Sequence, residues 1–135
     1  MNGTVNDLAM CGASPKYLSL SFILEEGLKT SELAQILQSI KIAADKAAVI
    51  IVTGDTKVVE QGKGDKIFIN TSGVGAVHEK AQIHHKRIES GDAIVISGSI
   101  ANHGIAIMSQ REGLEFETDL KSDTRPLNHA VKKLL

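Results

Sequence analysis

Residues 30–57 read TSELAQILQSIKIAADKAAVIIVTGDTK. Two periodicities meet in this stretch. Leu33, Ile36, Leu37, Ile40, Ala44 and Ala47 recur at helical spacing, which predicts an amphipathic helix over Thr30 to Ala47. Lys41 and Lys46 fall toward its C-terminal end, where positive charge suits the helix dipole. Val49 to Thr53 is an unbroken β-branched run, too short for a helix and closed by Gly54, so it reads as a buried strand. The fold must therefore accommodate both kinds of element.

Upstream, Thr4 to Gly12 reads as a short helix, with Thr4 as its cap, Asp7 in its first turn and Gly12 at its end. Ser14-Pro15 signals a turn. Tyr17 to Leu24 is apolar enough for a strand, which Glu25-Glu26-Gly27 closes. Downstream, Gly54 to Asp65 is polar and holds three glycines, so a loop is expected, with a short strand possible over Lys57 to Glu60. Lys66 to Val77 alternates as a strand does, and Gly73 and Gly75 within it predict a bulge or a close backbone approach. After a polar stretch, a boundary is placed near the Gly91-Asp92 turn. Ala93 to Ser97 reads as another apolar strand, Gly104 to Arg111 as helical, and Pro126 to Leu135 as a helix with proline in its first turn. The elements mix irregularly and give no clean βαβ series. That pattern predicts an α+β sandwich over a doubly wound sheet.

Composition narrows the function. In 135 residues, 15 basic side chains face 16 acidic ones, for a formal net charge of −1. Neither sign dominates, which speaks against nucleic-acid and membrane-surface binding. With 3% aromatic residues and no Trp, base stacking is an implausible mode of recognition. The core must be built from Val, Ile, Leu and Ala. The longest apolar run, Ala47 to Val52, cannot span a bilayer, and residues 1–11 carry no leader pattern, so a soluble cytoplasmic protein is expected. Cys11 alone forms no internal disulfide and reads as a small buried thiol.

Three constellations carry chemistry. Asn6-Asp7 places a carboxylate beside helical N–H groups, where a hard cation can bind, although an ordinary acidic helix start gives the same residues. Gly54-Asp55-Thr56-Lys57 follows the apolar run directly and offers metal- and phosphate-binding groups at one sheet edge; a decorated turn is the competing reading. It is not a Walker A loop. Ser97 to Gly104 lies between an apolar run and a helix, and its amides form an anion site in which His103 can donate to a phosphate or act as acid or base. A polar interdomain linker is the alternative there. His84 and His85 read as a solvated loop, and Glu115, Glu117 and Asp119 as a solvated strand face.

Gly3 to Met10 with Gly12-Ala13 and Pro15, the run Phe22 to Gly27, the block Thr53 to Glu60, the segment Ile69 to Gly75, and the stretches Asn102 to Ile107 and Arg111 to Leu120 together form a pattern. It resembles the HypE family of carbamoyl dehydratases, within the PurM-like superfamily of aminoimidazole-ribonucleotide synthetase. The resemblance covers nearly the whole chain. It implies a PurM-like α/β sandwich with a mixed, mainly antiparallel sheet. Residues 1–90 would be part of an N-terminal ATP-binding and dimerisation domain, and 91–135 the beginning of a C-terminal domain. It implies ATP and Mg²⁺, and a homodimer whose sheets close into a barrel. The implied partners are the carbamoyl transferase HypF and the HypC–HypD complex. The implied reaction is dehydration of a cysteine-borne thiocarbamate to thiocyanate, the source of the cyanide ligands of nickel–iron hydrogenase.

By that match, Asp7 and Asp55 would hold the metal with Asn6 nearby. Thr56 and Lys57 would meet the phosphates, and Lys57 and His103 would serve catalysis. The Gly98 to Gly104 loop would close over the nucleotide. The family's upstream acidic segment and its terminal cysteine have no match here, and the chain stops inside a helix at Leu134-Leu135, so a piece of a longer enzyme is expected. Two other readings stay open. One is a non-catalytic dimerisation or docking piece that pairs through Tyr17 to Leu24 and Lys66 to Val77. The other is a different ATP-using PurM-like enzyme.

Overall fold

The computed structural model describes residues 1–113 and 121–135. The described residues fall into two compact units, 1–83 with 126–135, and 84–125. This grouping does not follow a single cut at residue 90, because the last ten residues belong with the first unit.

The first unit is built on a three-stranded mixed sheet of order β2-β1-β3. The central strand β1 (Ala13–Glu25) pairs parallel to β2 (Ile50–Val59) and antiparallel to β3 (Ile67–Val77). Helix α1 (Asn2–Met10) precedes the sheet, and α2 (Thr30–Ala47) connects β1 to β2. One βαβ unit is therefore present, and it is not repeated as a series among the described residues. Helix α2 occupies the span its periodicity predicts, with Glu32 in the first turn and Lys46 in the last. Both charges complement the dipole.

The core gathers Val5, Leu18, Ala44, Ala47 and Val49, packed from α1, β1 and the C-terminal turn of α2. Leu18 is 1% exposed and makes the largest contribution. Burying a leucine of this kind stabilises the fold by about 1.5–3 kcal/mol.

Several local expectations are corrected. Helix α1 begins at Asn2, so Thr4 lies inside it and caps nothing. The Thr4 hydroxyl instead meets the Thr71 hydroxyl at 2.6 Å, tying α1 to β3. Cys11 is exposed, because it caps α1 at the surface. Ser14 and Pro15 lie within β1 and make no turn. A register shift between Pro15 and Tyr17 absorbs the missing proline N–H. Gly75 faces Pro15 there, and a Cβ on it would sit 2.5 Å from the Ser14 carbonyl oxygen, the close approach its sequence position predicts. Most consequentially, β2 does not stop at Gly54. Pairing with β1 carries it through Gly54, Asp55 and Thr56, expected as loop, to Val59, so the short strand considered over Lys57 to Glu60 is the continuation of β2.

The second unit contains a three-residue 3₁₀ turn at His85–Arg87, followed by α3 (Asn102–Glu112). Residues 93–97 form no strand, and Ile94, Val95 and Ile96 are exposed. Among the described residues, no strand pairs with this run. The acidic stretch at positions 115, 117 and 119 lies outside the described residues. Helix α4 (Asn128–Leu134) then belongs to the first unit. The Leu127 N–H donates to Asn6 Oδ1 at 2.8 Å, and Asn128 Nδ2 donates to the Ala47 carbonyl at 2.9 Å.

Candidate functional site

The segment Gly54–Lys57 sits in the middle of β2. Gly54 pairs with Leu20, and a Cβ on it would collide with the Leu20 carbonyl oxygen, so only glycine fits. Asp55 pairs with Ser21, which pairs in turn with Asn70. Lys57 is in register with Ile23 and Phe68. Cross-strand partners share a face and successive residues alternate. Asp55 and Lys57 therefore lie on one face, roughly 7 Å apart along the strand. Thr56 belongs to the Phe22–Ile69 row on the other face. Its contribution is local, as the Thr56 N–H donates to Asp55 Oδ1 at 2.8 Å. All three residues are exposed. The expected cluster of Asp, Thr and Lys at a strand end is thus corrected to an Asp–Lys pair on a sheet face.

Helix α1 lies on the opposite face. The row Thr71–Leu20–Gly54 receives Thr4, and a Cβ on Gly73 would meet Leu8 Cδ1 at 3.0 Å and Thr4 Cγ2 at 3.3 Å. Asp7 is exposed in the interior of α1, and the first turn of that helix carries no acidic residue. Asn6 lends its carbonyl to Leu127. The structure does not bring Asp7 and Asp55 together on one face. Among the described residues, no three His, Cys, Asp or Glu side chains are gathered for a metal.

His103 lies in the second unit, in the first turn of α3. Its backbone N–H donates to Asp123 Oδ1 at 3.1 Å, and its Nδ1 is 2.9 Å from Ser122 Oγ. Gly98 has φ 153, and Arg125 holds its turn by donating to the Ser97 carbonyl. Gly104 is inside α3, with open space beside it.

Sequence reasoning missed Glu25. Its carboxylate accepts from the Lys66 N–H at 2.7 Å and the Gly62 N–H at 2.5 Å, clipping the β2–β3 loop to the end of β1. The Lys66 N–H first, then the Gly62 N–H, hold this carboxyl below its ordinary range. The available signal was a glutamate at a strand end together with a distant Gly-x-Gly loop. A surface cavity of ≈ 310 Å³ opens beside it, lined in part by Glu25, Lys29, Glu32 and Lys66. Another, of ≈ 140 Å³, lies by Lys16, His129 and Lys132. Neither is lined by Asp7 or Asp55.

Residues 1–77 match the family described as AIR synthase related protein, N-terminal domain. The chain belongs to this family. Relatives that match over the whole chain include HypE proteins. The carbamoyl dehydratase HypE of Cupriavidus necator is 52% identical over all 135 residues, which cover 38% of that protein. A crystal structure of the hydrogenase maturation protein HypE in complex with ATP superposes with a TM-score of 0.95 at 51% identity, over 100% of this chain and 40% of that one. HypE from a HypE–HypF complex gives 0.94 at 51% identity, over 98% of this chain and 43% of that chain. The chain thus spans about two fifths of the length of these relatives. Among its described residues, no helix is long and apolar enough to cross a membrane.

Proposed function

We propose that this chain is part of an ATP-dependent carbamoyl dehydratase of hydrogenase maturation. The observation that carries the proposal is its likeness, along its whole length, to a HypE protein solved with ATP. Losing water from a carboxamide requires its oxygen to become a leaving group, and phosphorylation by ATP makes it one. Phosphoryl transfer is catalysed mainly by positioning and by neutralising charge.

Asp55 and Lys57 suit that task, as neighbours on an exposed strand face. Lys57 supplies a point charge for the phosphates. Mg²⁺ is bound by one or two carboxylates together with phosphate oxygens, so Asp55 fits as its protein ligand. An ion shared by Asp7 and Asp55 within one chain does not fit the faces these residues occupy, and no step is assigned to it. Thr56 and helix α1, which carries Asn6 and Asp7, lie on the opposite face of the sheet, and no contact with this ion or these phosphates is assigned to them. Gly98, His103 and Gly104, which lie in the second unit, are proposed as further functional residues of the enzyme.

The face carrying Asp55 also exposes Tyr17, Ile23, Ile50, Phe68 and Val74. An apolar sheet face of this kind suits a homodimer. HypF, the HypC–HypD complex and a cytoplasmic location complete the proposal.

The test is thiocyanate formation by the intact, carbamoylated protein with Mg-ATP. Lys57→Ala is expected to lower turnover by about 10²–10³-fold, the usual loss of one transition-state charge contact. Wild-type turnover in that variant, or no thiocyanate from the wild type, would refute the proposal.

A further inference from the structure

Three consecutive residues, 122–124, converge on one distant residue, His103. The Asp123 carboxylate accepts the backbone N–H of His103 at 3.1 Å. Ser122 Oγ lies 2.9 Å from His103 Nδ1, and Thr124 Oγ1 lies 3.3 Å from the same nitrogen. Ser122 has one hydroxyl hydrogen, and it is donated to Thr124 Oγ1 at 2.9 Å. Ser122 Oγ also accepts the Thr124 N–H at 3.1 Å. A serine hydroxyl offers one donor and two acceptor lone pairs. With the Ser122 hydrogen directed to Thr124 Oγ1, the hydrogen between Ser122 Oγ and Nδ1 is supplied by the ring, and in the neutral imidazole Nε2 then carries the lone pair.

We propose that Ser122 and Thr124 are positioning residues that hold His103 as the Nδ1–H tautomer and present its Nε2 as an acceptor to the ligand of the site. This rests on the reading of His103 as a site residue. It separates the two roles open to that histidine. A neutral ring held this way takes a hydrogen bond or a proton from an N–H or O–H group; it does not donate to a phosphate. A carboxamide or a hydroxyl fits such an acceptor, whereas a fully ionised phosphate oxygen does not.

The direct test is the pattern of two-bond ¹⁵N–¹H imidazole correlations of His103 in the intact protein, above the pH at which the ring is protonated. The wild type is expected to show the Nδ1–H pattern. Ser122→Ala is expected to shift the population toward Nε2–H, and Ser122→Thr to restore Nδ1–H. A wild-type ring already in the Nε2–H form would overturn the proposal without reference to any variant. So would an unchanged Nδ1–H pattern in Ser122→Ala. Thiocyanate formation by His103→Gln addresses the reading underneath. Unchanged turnover there would remove His103 from the site, and with it the use of the clamp, whatever the tautomer.

Discussion

The runs VIIVT at 49–53 and AIVIS at 93–97 carry nearly the same sequence signal. Each is short, rich in β-branched residues and followed by a glycine with polar residues beyond. The first places Val49 in the core, and the strand over residues 50–59 pairs along β1 with one register shift. The second forms no strand, and Ile94 is 95% exposed. Residue preference is alike in the two, and among the described residues the first has a paired strand beside it and the second has none. A β-branched run becomes a strand when a neighbouring backbone takes up its hydrogen bonds and one of its faces is covered.

The difference can be pushed hardest by truncating one leucine or isoleucine in each region. Leu18→Ala removes the buried side chain beneath the β1–β2 pairing and is expected to destabilise the first unit by about 2–5 kcal/mol. Ile94→Ala is expected to change stability by less than about 0.5 kcal/mol, as exposed substitutions do. Urea unfolding curves of the two variants check both, and similar losses would erase the contrast. Gly54→Ala sharpens it further. A Cβ there strikes the Leu20 carbonyl, so β2 must part from β1, at an expected cost of about 1–3 kcal/mol by the same measurement.

The smallest effect concerns the loop that returns β2 to β3. Glu25 has its folded-state pKa lowered, so its clip is present above the ordinary glutamate range and is lost as pH falls through and below it. Amide exchange protection at Gly62 and Lys66 should be level at neutral pH and fall under acid conditions. In Glu25→Gln it should be reduced already at neutral pH. Flat protection across the acid range would show that the carboxylate does not hold the loop.

Much of this architecture could be read from residues alone, for identifiable reasons. Helix α2 is legible because Leu33, Ile36, Ile40, Ala44 and Ala47 repeat with the helical period and its ends are charged to suit. Gly73 and Gly75 announce close approaches that the structure contains. The extent of β2 was not legible, because a glycine followed by Asp-Thr-Lys is a loop signal locally and a strand only once β1 is alongside. The same fact hid the face relation between Asp7 and Asp55, which is a matter of register and not of spacing. The Asn6–Leu127 clip and the Glu25 clip join residues 121 and 41 or fewer positions apart, beyond any local pattern.

The central claim is that Asp55 and Lys57, side by side on the open face of β2, form the Mg-ATP contact of the intact protein. Isothermal titration with Mg-ATP tests it most directly. Affinity should fall at least about tenfold in Asp55→Asn, the scale of one lost charge-assisted interaction. The effect should vanish when magnesium is chelated from both proteins. Wild-type affinity in Asp55→Asn with magnesium present would contradict the account.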